Sequence, residues 1–528
     1  MNAKRTIYAP LEGHGTAPVP ACTSRGYGLI FVCLVLIVAL TACDSGGGVA
    51  PTSTPQAPTS TAVPTTALPA NTAAPSTATA SVPATASTSA TGTAGPDLDA
   101  AYGATPTAPA DKAVAPLWAR DAVLYQIFVR NFTPEGTLAA AQKRLPDLKD
   151  MGVTLVYLMP IHPTGEVNRK GSLGSPYSIS DYTAIDPAQG TEADLKAFVA
   201  AAHGMGLKVI MDLVANHTAW DSVLAKEHPD WFKHDAQGNF VPPQPDWTDV
   251  IQIDHSKPEV LKYFVDMTSH YVQADGIDGF RCDYSTGVPL EFWQAWRAAL
   301  KKVNPDVFLL SENDDTKLTQ AFDATYDQHL YRDVVPAVRG NNPHRLIIDA
   351  ATNYAQSGPY LLQTRFFENH DHDRVAAPFK DMPLETLEAA STYLLTTDGI
   401  PFIENGQEVG ITHTISLFEP DPIPWQAGNT QLRDHFKHIL AIRNANPPLR
   451  HGDILDAGTL TPGVAAFVRR TAEQQVLVVL SFARAQTHAA LPSSLARHKG
   501  RDLETGNTVD LSGGLDMAPS SWRIIELK

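Results

Sequence analysis

The chain has 528 residues, 43% of them hydrophobic, and a formal net charge of -16. That length exceeds one ordinary domain, and the apolar share supports a sizeable core. Residues 1–42 carry Lys4, Arg5 and Arg25 against Glu12, so the remainder sits near -18. Such an acidic surface argues against nucleic acid as a partner and is indifferent to a neutral polymer.

The amino end has a basic segment, an apolar run from Leu29 to Leu40, and then Thr41-Ala42-Cys43. The run suits a signal-peptide core and is short for a bilayer span. A small residue before a cysteine, directly after that core, resembles a bacterial lipoprotein signal. The resemblance implies cleavage of residues 1–42 and a diacylglyceryl anchor on Cys43; an uncleaved membrane anchor is the alternative. Either way the bulk of the chain is expected outside the cytoplasm, touching the membrane only through this anchor. Cys22 and Cys33 would leave with the leader and Cys43 would be acylated, so Cys282 alone remains and no internal disulfide is expected.

Residues 43–112 are mostly Thr, Ala, Pro and Ser, too poor in large apolar side chains to offset their ordering entropy. They read as a disordered stalk. From there to residue 450, near-continuous apolar strands alternate with amphipathic helices. Strands are expected at 123–129, 155–158, 209–214, 277–284, 307–311, 361–368 and 402–404. Helices are expected at 139–151, 192–205, 258–274, 290–303 and 384–396. About eight such units suit an α/β fold of the (β/α)8 TIM barrel type. A doubly wound open sheet is the runner-up, but no Gly-rich phosphate turn accompanies it and no organic cofactor is expected. The longest interruption, 216–255, is rich in tryptophan and phenylalanine and falls after the third strand, where a substrate cleft would be built. Residues 451–528 read as short strands of a small antiparallel β-sandwich.

Four carboxylates close these strands in order: Asp212, Asp283, Glu312 and Asp371. Barrel enzymes keep their reacting groups at such strand ends. Two carboxyl groups in different protonation states are what glycosidic bond cleavage needs. Arg281 projects on the same face as Asp283 and would hold it ionised as a nucleophile. Glu312 would be the acid/base, and Asp371 would grip sugar hydroxyls as charge develops. His217 and His370 can donate to the same sugar. Cys282 alternates to the other face and reads as a buried thiol. The competing reading of the acids is that they cap helices or pair with arginines.

The set resembles the α-amylase superfamily, glycoside hydrolase family 13. Further stretches agree: Gln126-Ile-Phe-Val-Arg-Asn-Phe132, Met159-Pro-Ile-His-Pro163, Ser175-Pro-Tyr-Ser-Ile-Ser-Asp-Tyr-Thr183 and Asn405-Gly-Gln-Glu408. The resemblance implies that Asp283 is the nucleophile, Glu312 the acid/base and Asp371 the transition-state stabiliser. Arg281, His217 and His370 would bind the sugar, Tyr177 would stack under it, and Asp212 would bond Arg281 or its surroundings. The 216–255 insertion would be the family's domain B and 451–528 its domain C. A Ca2+ ion between barrel and domain B is implied, with Asn216 as one ligand and Asp235 and Asp249 as candidates; the alternative is that Asn216 is a hydrogen-bonding loop residue. Departures follow the key acids. Asn313-Asp-Asp315 would raise the pKa of Glu312 if the acids are close and ionised. Tyr284-Ser-Thr-Gly287 lacks the basic residue and histidine common there, and His372 follows Asp371.

The implied activity is hydrolysis of α-1,4-glucosidic bonds in starch-like α-glucans or maltooligosaccharides outside the cell. A transglycosylase or branching enzyme using the same intermediate, and a non-catalytic starch-binding surface lipoprotein, are the alternatives. The last would be marked by loss of Asp283 or Glu312, and both are present.

Overall fold

The computed structural model describes residues 113–357, 362–459 and 461–528. The expected leader, Cys43 and the stalk lie outside the described residues. Among the described residues no helix is long and apolar enough to cross a membrane.

Among the described residues ten short strands precede residue 405: β1 (Leu124–Ile127), β2 (Leu155–Leu158), β3 (Lys208–Leu213), β4 (His217–Ala219), β5 (Val250–Gln252), β6 (Gly279–Cys282), β7 (Phe308–Ser311), β8 (Ala324–Tyr326), β9 (Gln363–Arg365) and β10 (Ile400–Glu404). Eight of them close into a parallel barrel in chain order, with β1 pairing both β2 and β10. This closure sets aside the open doubly wound sheet. Every residue of β1, β2, β6 and β7 is buried, because helices cover the outer face and side chains fill the inner one. That double burial is why these strands read as unbroken apolar runs rather than alternating ones.

The helices Pro258–Ala274, Leu290–Val303 and Leu384–Thr396 have the expected bounds. Each starts at a proline, which either lacks an N–H where none is needed or precedes the first turn. The expected helix 139–151 is two, Leu138–Gln142 and Leu145–Met151, broken near Arg144 before Pro146. The expected strand 123–129 stops at Ile127, and a single helical turn, Val129–Phe132, follows.

The 216–255 insertion is anchored by β4 and β5, which pair antiparallel with His217 opposite Gln252. Among its described residues the carboxyl end carries eight strands: β11 (Asp453–Asp456), β12 (Val464–Arg470), β13 (Gln475–Ser481), β14 (Thr487–Ala489), β15 (Lys499–Asp502), β16 (Thr508–Asp510), β17 (Leu515–Met517) and β18 (Ser521–Leu527). They form a six-stranded sheet in the order β11-β12-β13-β18-β15-β16 and a two-stranded sheet of β14 and β17. One face of the large sheet (Val464, Ala466, Val468, Leu477, Val479) packs with Leu515 and Met517 of the small one. The other face (Ala465, Phe467, Val476, Val478) joins the barrel's core. The period of two along each strand thus serves two cores.

Candidate active site

Strand register builds the centre of the site. Asp212 of β3 and Arg281 of β6 are direct cross-strand partners, so their side chains enter the barrel mouth side by side. Arg281 is fully buried and its Nη1 donates to both oxygens of Asp212, at 2.9 and 3.0 Å. The same nitrogen donates to Asp283 Oδ1 at 3.0 Å, and Nη2 lies 3.1 Å from Glu312 Oε1. One guanidinium therefore spans three carboxylates, which suits its planar fork and would not suit a lysine. Buried charges of this kind persist only when paired.

Asp283 follows β6 and Glu312 follows β7, so both sit where strands open toward solvent. Burial pushes the Asp283 carboxyl well up, helped by repulsion from Glu312 and opposed by Arg281. Burial also raises Glu312; Arg281 and the Tyr284 N–H oppose it and Asp371 reinforces it. Burial thus lifts both carboxyls above the ordinary carboxylate range although one cation lies between them. Glu312 Oε2 accepts from the Tyr284 backbone N–H at 2.6 Å. That N–H is aimed by a left-handed backbone at Tyr284 (φ 38°, ψ 50°), a costly state for a tyrosine and a mark of stored strain beside reacting groups. Gly287 permits it: a Cβ there would stand 2.5 Å from the Tyr284 ring and 2.6 Å from Asn216 Oδ1.

The opposite wall is a relay. Gln126 Nε2 lies 2.7 Å from His370 Nδ1, and His370 Nε2 lies 2.6 Å from the Tyr177 hydroxyl and 3.0 Å from Asp371 Oδ2. With Nδ1 as acceptor, Nε2 carries the proton, and the Tyr177 hydroxyl donates onward to Asp212 Oδ2 at 2.9 Å. Tyr177 and His370 rings lie stacked at 5.2 Å, leaving the tyrosine half-buried. Burial would raise Asp371, but His370, Arg281 and His372 outweigh it and hold this carboxylate below the usual range. Its side chain is 37% exposed, the most open of the four acids.

His217 reaches this cluster through aromatic rings rather than hydrogen bonds. Its ring meets Trp247 edge-on at 5.4 Å, and Trp247 meets Tyr284 at 5.1 Å. Burial pushes the His217 imidazole down to about 3, so it is a neutral donor. Asn216 Nδ2 lies 3.2 Å from His217 Nδ1.

Asp212, Asp283, Glu312, Asp371, Tyr177, Arg281 and His370 are thus joined in one network. The sequence reading passed over Tyr157, whose hydroxyl donates to Asp212 Oδ2 at 2.5 Å, and Tyr326, whose ring lies 5.5 Å from the Arg281 guanidinium. It gave Gln126 no role of its own. Their signal was present, since polar-tipped tyrosines and a glutamine within fully buried strands need partners. The condition on Asp314 and Asp315 is not met among the leading influences on Glu312, which are burial, Arg281, Asp371, the Tyr284 N–H and His370. Asp315 caps the next helical turn through Lys317 N, and Asp314 lies 3.9 Å from His329. Cys282 is a buried free thiol whose pKa burial raises.

Calcium does not fit the residues present. Asn216 Oδ1 is a buried oxygen without a hydrogen-bond partner, as a ligand would be. Its proposed companions are engaged elsewhere. Asp249 pairs with Lys170 at 2.7 Å, and Asp235 closes its own turn by accepting from Gln237 and Asn239. Calcium takes roughly six to eight oxygens, and one does not make a cage.

A closed parallel barrel whose neighbouring strand ends bring two carboxyls onto one guanidinium has the arrangement of a glycoside hydrolase. A model of the alpha amylase catalytic domain matches residues 107–251 and 231–451. The chain belongs to this family, the α-amylase family of glycoside hydrolases, family 13. Alpha-amylase 2 of Dictyoglomus thermophilum is 25% identical over 456 residues, covering 79% of this chain and 77% of its own. The crystal structure of an alpha-amylase from Lactobacillus plantarum has 32% identity and a TM-score of 0.69, covering 77% of this chain and 99% of that one. A noncanonic maltogenic alpha-amylase from Thermotoga neapolitana has 32% identity and a TM-score of 0.69, covering 77% and 96%.

Proposed function

We propose that this enzyme cleaves α-1,4-glucosidic bonds of starch-like α-glucans or maltooligosaccharides with retention of configuration. The observation that carries the reading is the single guanidinium shared by Asp283 and Glu312. Asp283, whose protonation Arg281 opposes, attacks the anomeric carbon as a carboxylate while Glu312 gives its proton to the leaving oxygen. A covalent glycosyl-aspartate results. Glu312, now the base, takes a proton from water, which releases the sugar. Asp371, kept charged by His370, binds the sugar hydroxyls as positive charge develops on the ring. Tyr177 offers a ring face for stacking, and neutral His217 with His370 donates to the same sugar. The relatives named alpha-amylase, cyclomaltodextrinase and neopullulanase support an α-glucan substrate.

Transfer to a sugar acceptor in place of water is the second reading. A maltosyltransferase from Mycolicibacterium smegmatis is 36% identical over 196 residues, covering 34% of this chain and 28% of its own. The location we propose is outside the cytoplasm, anchored through a lipid on Cys43; the leader and stalk composition support it. Product analysis on amylose and maltooligosaccharides, beside Glu312→Gln, tests the activity. New reducing ends in the wild type alone support hydrolysis. Rearranged chain lengths without new reducing ends would replace it with transfer.

A further inference from the structure

We propose a second site, on the outside of the barrel, that binds a divalent transition cation of the zinc type through Glu192, His270 and Asp275. The three residues come from two neighbouring helices. Glu192 opens the helix Glu192–Gly204, His270 lies in the last turns of Pro258–Ala274, and Asp275 caps that helix's end. One donor atom from each lies within 4.8 Å of the others. His270 Nε2 is 3.6 Å from Glu192 Oε1 and 3.9 Å from Asp275 Oδ2. In a tetrahedral shell with bonds of about 2.1 Å, neighbouring donors lie about 3.4 Å apart. The two pairs that His270 makes therefore stand a few tenths of an ångström wide of that spacing, and Glu192 and Asp275, within 4.8 Å of each other, would draw together on the ion.

Asp275 points to a ligand independently. Its side chain is 0% exposed, yet neither carboxylate oxygen accepts a hydrogen bond. A buried acid of this kind normally has donors or a metal. The nearest cation is the Lys196 ammonium, 3.5 Å from Asp275 Oδ1 and held mainly by Glu192 at 2.6 Å. Lys196 is half-exposed and can swing to solvent when a metal takes its place. One imidazole and two carboxylates suit zinc better than calcium or magnesium, which prefer oxygen alone. The fourth position would hold water.

The location suggests a structural use. Asp275 starts the link to β6, and Asp278 in the same link pairs with His203 at 2.7 Å and Lys208 at 2.8 Å. A metal at Asp275 would fasten the connection that delivers Arg281 and Asp283.

The test is titration of the metal-stripped full chain with zinc chloride, read by calorimetry and by thermal unfolding. The chain has 18 histidines, so uptake alone proves nothing and the variants decide. One zinc should bind the wild type and raise its melting temperature by at least about 2 °C at saturation. His270→Ala, at a side chain 57% exposed and thus safe for folding, should weaken this binding about tenfold or more while leaving turnover unchanged. Lys196→Gln, which removes the competing cation, should tighten it by about threefold or more. Zinc uptake equal in wild type and His270→Ala, or no uptake by Lys196→Gln, would overturn the site.

Discussion

Replacing Arg281 by methionine probes the centre of the account. The guanidinium pairs with Asp212, Asp283 and Glu312 at once and is itself fully buried. Breaking a buried ion pair by removing one partner costs about 3–5 kcal/mol, a large share of an ordinary folding free energy. The orphaned acids reduce that loss by binding protons. Arg281 lowers the pKa of both Asp283 and Glu312, so without it both rise further. A carboxyl raised in the folded state binds more protons there than in the unfolded chain. Its contribution is therefore favourable at low pH and is lost as pH climbs from about 4 toward the raised value. Each additional unit costs about 1.4 kcal/mol per group. Urea unfolding of Arg281→Met at pH 5 and pH 8 should show a deficit against wild type that grows with pH. Turnover should fall by about 10³-fold, since the one cation that opposes protonation of the nucleophile is gone. Arg281→Lys should recover stability more than activity, because an ammonium cannot serve two carboxylates in one plane. A pH-independent deficit below about 1 kcal/mol, or activity within tenfold of wild type, would refute the reasoning.

Asp283→Asn should abolish turnover yet leave the melting temperature within a few degrees or raise it, because it relieves repulsion with Glu312; calorimetry beside an activity assay checks both. Gly287→Ala should destabilise by about 1–3 kcal/mol and depress turnover together, as the new methyl displaces Tyr284 and its N–H on Glu312. Cys282→Ala should retain most activity, and near-complete loss in a folded variant would show that the thiol has a chemical role. The alkaline limb of the pH–rate profile should lie above the ordinary glutamate value, since burial and Asp371 raise Glu312; a limb near about 4.3 would contradict that environment. Calcium added to chelator-treated enzyme should leave the melting temperature unchanged, and a rise of several degrees would restore a cage around Asn216.

The chemistry was more legible than the architecture that supports it. The four acids announce themselves because each ends an apolar run, where a charge has no business unless it works. Helices such as Leu290–Val303 are legible because one face holds Phe292, Trp293, Trp296 and Leu300 and the other is charged. β8 escaped notice: it has three residues and follows a 3-10 turn, Thr316–Gln320, instead of the long amphipathic helix that marks most of the other units. The helix Gln328–Arg339 escaped for a different reason, the proline at position 336 inside it. The strands β14 to β17 have only three or four residues each, so only pairing reveals them. Tyr157, Tyr326 and Gln126 look like core residues in sequence; the barrel's closure is what turns them toward Asp212, Arg281 and His370. The distraction of Asp314 and Asp315 shows the converse. Nearness in sequence to Glu312 did not survive the turn that Asp315 itself caps.

The central claim is that Asp283 forms a bond to the sugar. Mass spectrometry of the enzyme after reaction with a slow, fluorine-deactivated α-glucosyl fluoride tests it most directly, because such a substrate lets the intermediate accumulate. The account predicts one glycosyl adduct, on the peptide containing Asp283, that decays on addition of maltose as acceptor. A fully processed substrate with no adduct and an inverted anomeric product, or an adduct on another residue, would contradict it.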